Sequence, residues 1–260
     1  MGSGAIQGKL WGQHPQDWAI IQEPTGLAGY EYVLRFMNFN SSDNVLDVGC
    51  GSGLFSDLVY KTGGSIKAID ASEALIAAAK KRNSSIEFSV GEMEELPFDD
   101  NIFSVVCGFN SFQYAADTKS ALTEAKRVLQ NGGRFAAMIW GNKEDCEAAT
   151  YLKAVGSLLP PPPPGAPGPF ALTENHLLEE ILKEVGFKTI ESIDVDSVWD
   201  YPSKEIALKG LLSVGPAARA IAHAGIDKVL ATVSDAVEPY VQSNGHVVYK
   251  NKFRVATAKK

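Results

Sequence analysis

The first forty residues carry aromatic and apolar side chains at helical spacing. Seven such positions recur every three or four residues between Trp18 and Met37, and Pro24 and Gly26 interrupt them. Apolar residues at this spacing predict amphipathic helices, and the proline and glycine divide them. We therefore expect two short helices before the first strand, forming an N-terminal helical cap over residues 1–40.

From residue 44 the pattern changes to short apolar runs that alternate with amphipathic stretches. Strands alternating with helices indicate βαβ units, a parallel sheet and right-handed crossovers. The triplet Asn131-Gly132-Gly133 is typical of a helix C-cap followed by a tight turn. The predicted strands are 44–48, 65–70, 86–90, 105–109 and 134–140, and the predicted helices are 54–61, 72–82 and 119–129.

The second half of the chain begins with a proline-rich run at 159–169, which we expect to be an extended surface segment. A helix over 174–185 should follow, capped by Thr173 and ended by Gly186. After a strand at 188–198, residues 203–241 have a helical pattern broken at Gly215-Pro216 and Gly225. The last apolar stretch, 247–258, predicts a final strand, so the helical pieces form an insert between two late strands.

Composition and charge narrow the function. The 260 residues are 45% hydrophobic and 21% charged, as in globular proteins, and the net charge of −7 opposes binding to nucleic acid. No apolar stretch is long enough for a membrane span, and residues 1–9 lack a signal region, so we expect a cytoplasmic protein. The three cysteines contain no CxxC pair, which supports neither a disulfide framework nor a metal site.

The residues 45–53 form the sharpest motif, a predicted strand that runs into a turn containing Gly49, Gly51 and Gly53. Glycines let a ligand approach the backbone, and the following helix offers free amides, so a nucleotide-like ligand should bind at the carboxyl ends of the strands. Leu54 occupies the position of the third glycine of a dinucleotide fingerprint. The turn alone leaves other nucleotide sites open.

Asp70 ends the second predicted strand about 20 residues after the first glycine. A carboxylate at this position is suited to accept hydrogen bonds from ribose hydroxyls. The alternative is a helix N-cap, for which Asp70 and Ser72 are both candidates.

Five blocks of the chain, in this order, resemble the class I S-adenosylmethionine-dependent methyltransferases. They are the glycine turn, Asp70, and residues 90–103, 107–114 and 124–133. The similarity covers residues 44–140 and is greatest to the broad group that includes the ubiquinone- and menaquinone-biosynthesis enzymes. The resemblance implies an α/β, Rossmann-like, seven-stranded sheet whose last strand is antiparallel. It divides the single domain into the cap 1–40, a cofactor-binding core 41–141, a connector 142–172 and a C-terminal part 173–260 with a lid at 203–241.

The resemblance also implies which residues bind the cofactor. Asp70 would contact the ribose, Glu92 would accept from the adenine amino group, and Met93 would supply a backbone amide and an apolar contact. The family usually has Asp and a small residue at the positions of Glu92 and Met93, so this chain departs from the pattern there. The implied cofactor-binding residues are Asp47, Gly49, Gly51, Gly53, Asp70, Ala71, Glu92, Met93 and Phe109.

Residues on the acceptor side follow from the same resemblance. Asn110 and Gln113 come after the fourth strand and Trp140 ends the fifth, where the family binds acceptors. Loop hydrogen bonding and core packing are the alternatives for these three. Helices before the first strand commonly close the pocket, which makes Trp11, His14, Trp18 and Tyr30 candidates to face the ligand. His14 is the one candidate for a general base, should the acceptor have to lose a proton.

The sequence thus predicts methyl transfer from S-adenosylmethionine to a small-molecule acceptor by in-line displacement. Transfer to oxygen, nitrogen or carbon is equally open, as is the oligomeric state. A non-catalytic S-adenosylmethionine-binding module is one alternative. An NAD(P)-dependent oxidoreductase is another, which Leu54 and the lack of a Tyr-x-x-x-Lys pair disfavour.

Overall fold

The computed structural model describes residues 2–161 and 168–260. Its centre is a seven-stranded sheet in the order β3-β2-β1-β4-β5-β7-β6. Strand β7 pairs antiparallel with both neighbours, while β1 to β5 pair in parallel. The predicted fold class is confirmed. The strands are β1 Asn44–Val48, β2 Ser65–Asp70, β3 Glu87–Val90, β4 Phe103–Phe109, β5 Leu129–Trp140, β6 Lys188–Tyr201 and β7 Val247–Lys259.

Helices cover both faces of the sheet and form the insert between β6 and β7. The insert between β6 and β7 breaks near Gly215 and at Gly225, as the sequence predicts. Among the described residues, no helix is long and apolar enough to cross a bilayer. The helices are α1 Gly4–Trp11, α2 Pro15–Asp17, α3 Leu27–Met37, α4 Leu54–Tyr60, α5 Glu73–Arg82, α6 Thr118–Val128, α7 Ala149–Gly156, α8 Leu177–Val185, α9 Lys204–Leu212, α10 Gly215–Ala224 and α11 Ile226–Val237.

The central strands are apolar on both faces because helices cover both faces of the sheet. In β1, Val45 packs into the core on one side and Leu46 into the core on the other. Both side chains are fully buried. The two cores fix the register of the strands, so the loops at their carboxyl ends meet along one edge of the sheet.

The N-terminal cap differs from the two predicted helices. Residues 15–37 are a continuous series of helical turns, in which a π-helical segment Trp18–Gln22 and a 3₁₀ segment Glu23–Gly26 link α2 to α3. The additional helix α1 precedes them and contains no buried residue. Such a helix carries no amphipathic pattern, which is why the pattern of apolar positions does not predict it.

The prediction of a helix C-cap at Asn131-Gly132-Gly133 is wrong. Helix α6 ends at Val128, and Leu129 is already extended. The triplet lies inside β5, where the pairing with β4 shifts between Leu129 and Arg134. Gly132 has a φ of +73° and its N–H donates to the carbonyl of Lys260 at 3.3 Å. Here the glycines accommodate an irregularity in a strand, a role that sequence alone does not distinguish from a cap.

The predicted helix over 174–185 begins later than expected. Asn175 and His176 have left-handed backbone angles, so regular helix starts at Leu177. Thr173 precedes a separate 3₁₀ turn, Glu174–His176, without capping it by a side-chain hydrogen bond, and its hydroxyl donates instead to the carbonyl of Trp140. The predicted end at Gly186 is confirmed, with a φ of +91°. The predicted extended segment at 159–169 lies largely outside the described residues.

Candidate functional site

A cavity lies at the carboxyl ends of the central strands, between the N-terminal helices and the insert. Gln7 and Trp11 of α1 line it on one side, and Val214 and Pro216 beside α10 line it on another. Nine of the residues that the resemblance assigns to the cofactor or the acceptor also line it: Gly49, Gly51, Asp70, Ala71, Glu92, Met93, Phe109, Asn110 and Trp140.

The glycine turn forms the floor of this cavity. Gly49, Gly51 and Gly53 have φ angles of +76°, +56° and +78°, in the region that side chains disfavour. The N–H groups of Gly49 and Cys50 both donate to the carbonyl of Ile69, at 2.8 and 3.0 Å, which ties the turn to β2. A Cβ atom on Gly51 would lie 3.1 Å from the carboxylate of Glu23 and from the indole nitrogen of Trp18. Only glycine leaves this space to a ligand.

Asp70 is held in place by two backbone amides. Its Oδ2 accepts from Gly51 N at 2.9 Å and its Oδ1 from Ser72 N at 2.8 Å. Burial raises the pKa of Asp70 to about 6, against the lowering effect of these hydrogen bonds. Ser72 caps α5 by accepting from Leu75 N, so Asp70 is not the N-cap. Each carboxylate oxygen keeps a lone pair for a ligand hydroxyl.

Asp47 and Gly53 lie behind the turn and do not line the cavity. Asp47 is buried and accepts from the Ser56 hydroxyl at 2.6 Å. Burial raises the pKa of Asp47 to about 7. A Cβ atom on Gly53 would lie 2.8 Å from the ring of Phe88. In this structure both residues support the shape of the turn.

Glu23 accepts hydrogen bonds from backbone amides of the glycine turn and of the first residue of α4. Its Oε1 accepts from Ser52 N at 2.9 Å and from Leu54 N at 3.5 Å, and its Oε2 accepts from Arg82 at 2.5 Å and from the Ser52 hydroxyl. Arg82 also donates to the carbonyl of Ala19 at 3.0 Å. Burial raises the pKa of Glu23, although Arg82 opposes the shift. This network joins the N-terminal cap to the turn.

Glu92 and its neighbour Glu94 hold the first turn of α1. Glu92 Oε2 accepts from Gly4 N at 2.5 Å, and Glu94 Oε2 accepts from Ser3 N at 2.8 Å. Carboxylates are stabilised at the amino end of a helix by its free amides and its dipole. Helix α1 therefore covers the part of the cavity where the sequence places the adenine.

Two of the three acceptor-side candidates line the cavity and one does not. Trp140 lines the cavity, with its ring 5.5 Å from that of Trp199 and 5.3 Å from that of Phe253. Asn110 also lines it and has a φ of +50°. Gln113 does not line it, and its side chain donates to Asn110 Oδ1 at 3.4 Å. His14 is exposed before α2, outside the cavity.

The sequence analysis missed several lining residues. Glu23, Tyr151, Trp199 and Phe253 belong to no recognisable motif, and their segments are far apart along the chain. The fold brings them together at one edge of the sheet. Trp11, Trp18 and Tyr30, which the sequence nominated, also line the cavity.

The charged residues that line the cavity are all acids: Glu23, Asp70 and Glu92. Within residues 2–161 and 168–260, no lysine, arginine or histidine lines it. The same described ranges contain no group of three or more histidine, cysteine and acidic side chains that could hold a metal ion. The electrostatics of the cofactor end, where these three acids lie, therefore suit a cationic ligand.

Comparisons with known sequences agree with the cofactor-binding core. Residues 46–137 match a family model described as a methyltransferase domain. The putative methyltransferase YrhH of Bacillus subtilis is 33% identical over 123 residues, which are 45% of this chain and 68% of that protein. A malonyl-[acyl-carrier protein] O-methyltransferase of Buchnera aphidicola is 32% identical over 117 residues, 45% of this chain and 46% of that protein. The chain thus spans about half the length of the first curated relatives it matches.

Solved structures share the fold over most of the chain. The YcgJ protein from Bacillus subtilis has a TM-score of 0.61 at 17% identity, covering 89% of this chain and 97% of its own. A putative sarcosine dimethylglycine methyltransferase from Galdieria sulphuraria has a TM-score of 0.58 at 15% identity, with 99% and 98% covered. The quinone-type subgroup stays a prediction. The YrhH match and the family model show that the chain belongs to the class I S-adenosylmethionine-dependent methyltransferases, whose cofactor is S-adenosylmethionine.

Proposed function

We propose that this chain transfers a methyl group from S-adenosylmethionine to a small-molecule acceptor. The observation that carries the proposal is one continuous cavity, lined at one end by the glycine turn and Asp70 and at the other by aromatic side chains such as Trp140 and Trp199. A donor at the first end and an acceptor at the second would meet inside it. Holding two reactants in line supplies a large part of catalysis for a displacement reaction.

The position of Glu23 supports a sulfonium cofactor over a dinucleotide. In dinucleotide-binding folds the amides at the start of the first helix bind a pyrophosphate. Here the amides of Ser52 and Leu54 already donate to the Glu23 carboxylate. A pyrophosphate placed there would meet a buried negative charge, whereas a sulfonium and an ammonium group would be attracted by it. This disfavours the NAD(P)-dependent alternative.

The residues that line the cofactor end have distinct roles in this proposal. Asp70 would accept from the ribose hydroxyls, Glu92 and Met93 would border the adenine, and Gly49 and Gly51 would admit the methionine portion. S-adenosylmethionine, when bound, supplies an activated methyl group that an acceptor atom takes by in-line displacement, releasing S-adenosylhomocysteine. The surrounding aromatic side chains would exclude water and orient the acceptor. His14 lies outside the cavity, and we assign no general base.

A second candidate acceptor comes from the names of the relatives, several of which are malonyl-[acyl-carrier protein] O-methyltransferases. The matched segments correspond to about half of those proteins. The aromatic lining of the cavity and its lack of lysine, arginine and histidine among the described residues favour a different acceptor.

The test is acceptor-dependent formation of S-adenosylhomocysteine by the purified full chain. Phenols, amines, β-dicarbonyl compounds and malonyl-[acyl-carrier protein] would each be supplied with S-adenosylmethionine, and the product measured by mass spectrometry. We expect turnover with a small molecule and its loss in Asp70→Ala. If the cofactor binds and no acceptor of any class is methylated, the chain is a binding module and the proposal is wrong.

A further inference from the structure

The acceptor end of the cavity, here called the acceptor lobe, is formed by Trp140, Tyr151, Leu152, Trp199 and Phe253. Resting on the function proposed above, we infer that the lobe binds an uncharged, largely aromatic acceptor that carries a hydrogen-bond-accepting atom. The inference narrows the substrate class. Three features of the lobe support this acceptor: its aromatic walls, the lack of positively charged side chains among its described residues, and its unpartnered indole N–H group.

Aromatic rings form the walls of the lobe. Trp140 is the centre, with the rings of Trp199 and Phe253 at 5.5 and 5.3 Å in tilted orientations. All three side chains are buried, and Tyr151 beside them is buried as well. The Tyr151 hydroxyl donates to the carbonyl of Leu211 at 2.5 Å, so its polar group is already bonded. Such walls favour a flat apolar ligand, which stacks on rings or meets them edge to face.

An anionic acceptor would find no positively charged side chain among the described residues that line the cavity. The described residues that line the cavity include no lysine, arginine or histidine, and residues 162–167 are only proline, glycine and alanine. Two arginines with little exposed side chain are already paired: Arg82 is bonded to Glu23, and Arg254 is bonded to Asp194 at 2.8 Å. A carboxylate moved from water into the lobe would lose its hydration without gaining an ion pair, which is costly. The same holds for an ammonium group, because the three acids that line the cavity lie at the cofactor end and not in the lobe.

The lobe does offer a hydrogen-bond donor. The indole Nε1 of Trp199 is buried and has no hydrogen-bond partner among the described residues, and Trp199 lines the cavity. The Trp18 indole nitrogen, beside Gly51, is likewise unpartnered in that part of the chain. Buried N–H groups are nearly always bonded, so these donors are suited to oxygen or nitrogen atoms of bound ligands. Trp199 is the donor on the acceptor side.

A malonyl group carries a free carboxylate at neutral pH, so these features disfavour the acceptor that the relatives' names suggest. They favour neutral ring compounds with a carbonyl, phenol or ring nitrogen. The lobe should bind a neutral ligand more than about tenfold more tightly than a charged ligand of the same size, because the charge would be buried there without a partner.

The test compares four probes of one size by calorimetry: 2-acetylnaphthalene, 2-naphthoate, 2-naphthylmethylammonium and naphthalene. Each is titrated into the full chain with and without S-adenosylhomocysteine. We expect 2-acetylnaphthalene to bind at least tenfold more tightly than either charged probe. In Trp199→Phe, which keeps a ring but removes the donor, its affinity should fall about three- to tenfold, while that of naphthalene is unchanged. Tyr60→Phe, at an exposed tyrosine outside the cavity, is the control.

The outcomes separate the two proposals. Failure of S-adenosylhomocysteine to bind contradicts the proposed function. Tight binding of 2-naphthoate or 2-naphthylmethylammonium, no binding of 2-acetylnaphthalene, or equal losses for 2-acetylnaphthalene and naphthalene in Trp199→Phe would overturn the inference about the acceptor. Retained binding of S-adenosylhomocysteine by Trp199→Phe shows that the variant is folded.

Discussion

Asp70 lies in a cavity whose other charged lining residues, Glu23 and Glu92, are also acids. The carboxylate is desolvated, and the nearby Glu23 charge adds to the resulting rise in its pKa. Ionised Asp70 accepts from ribose hydroxyls and attracts a cationic cofactor, whereas protonated Asp70 does neither as well. Binding of the cofactor should therefore favour the ionised form.

The affinity for S-adenosylmethionine should depend on pH through this group. Because the pKa of Asp70 is about 6 in the free protein, the site is ionised at pH 8 and loses that form as the pH falls through 6. At pH 5 the dissociation constant should be about tenfold higher. Calorimetry between pH 5 and 8 would measure this, and Asp70→Asn should bind weakly with a flat profile. A wild-type profile as flat as that of Asp70→Asn would contradict the role of Asp70.

Glu23→Gln tests the network that joins the cap to the glycine turn. The substitution leaves Arg82, whose side chain is only 22% exposed, without its anionic partner. We expect a loss of about 2 kcal/mol in the free energy of unfolding and weaker cofactor binding. Glu31→Gln is the matched control, since Glu31 pairs with Arg35 at 3.9 Å on the surface and should cost less than about 0.5 kcal/mol. Equal effects of the two changes in urea unfolding would contradict this account.

Helix α1 contributes no buried residue to the core and is held by contacts with its neighbours. Trp11 packs against Trp18 and Gly215, and the first turns of the helix lie against the strand ends. Its glycines allow close approach: a Cβ atom on Gly8 would overlap the carbonyl of Ala71, and one on Gly12 would lie 2.8 Å from the Ser72 hydroxyl. Glu92 and Glu94 accept from its first amides. The helix thus covers the cavity through contacts that a single methyl group can disturb.

Gly8→Ala should displace α1 while leaving the sheet intact. We expect about a tenfold loss of affinity for S-adenosylmethionine and faster amide exchange over residues 4–11, with little change in Tm. Gly156→Ala is the control, because a Cβ atom there meets nothing within 4 Å. Both changes replace glycine by alanine in a helix, so helix propensity does not explain a difference. Unchanged affinity and exchange in Gly8→Ala would show that α1 is not a closing element.

The elements that the sequence predicted well are those with strong periodicity. The bounds of β1 and β2 match the prediction, because buried strands between clear turn residues leave little choice. The failures are local. Left-handed residues delay α8, and the glycines near 132 serve a strand irregularity. Helix α1 buries no residue, so no pattern of burial reveals it.

At the scale of the whole molecule, the two ends of the cavity differ in how far sequence predicts them. The cofactor end comes largely from a contiguous motif, so Gly49, Gly51 and Asp70 could be named from spacing alone. The acceptor end joins Trp140 of β5 to Trp199 of β6 and Phe253 of β7, since β5 and β6 both pair antiparallel with β7. Only the sheet order β5-β7-β6 brings these rings together. Glu23 likewise could not be predicted from a contiguous motif, because it contacts the glycine turn from 29 residues away along the chain.

The most direct test of the account is a calorimetric titration of the full chain with S-adenosylmethionine, S-adenosylhomocysteine and NADH. Asp70→Ala is the test variant, and Asp196→Ala, whose side chain is 85% exposed, is the control. We expect both adenosyl ligands to bind wild type and Asp196→Ala, Asp70→Ala to lose most of that affinity, and NADH not to bind. Binding of NADH in preference to the adenosyl ligands, or normal binding by Asp70→Ala, would contradict the placement of the cofactor in this cavity.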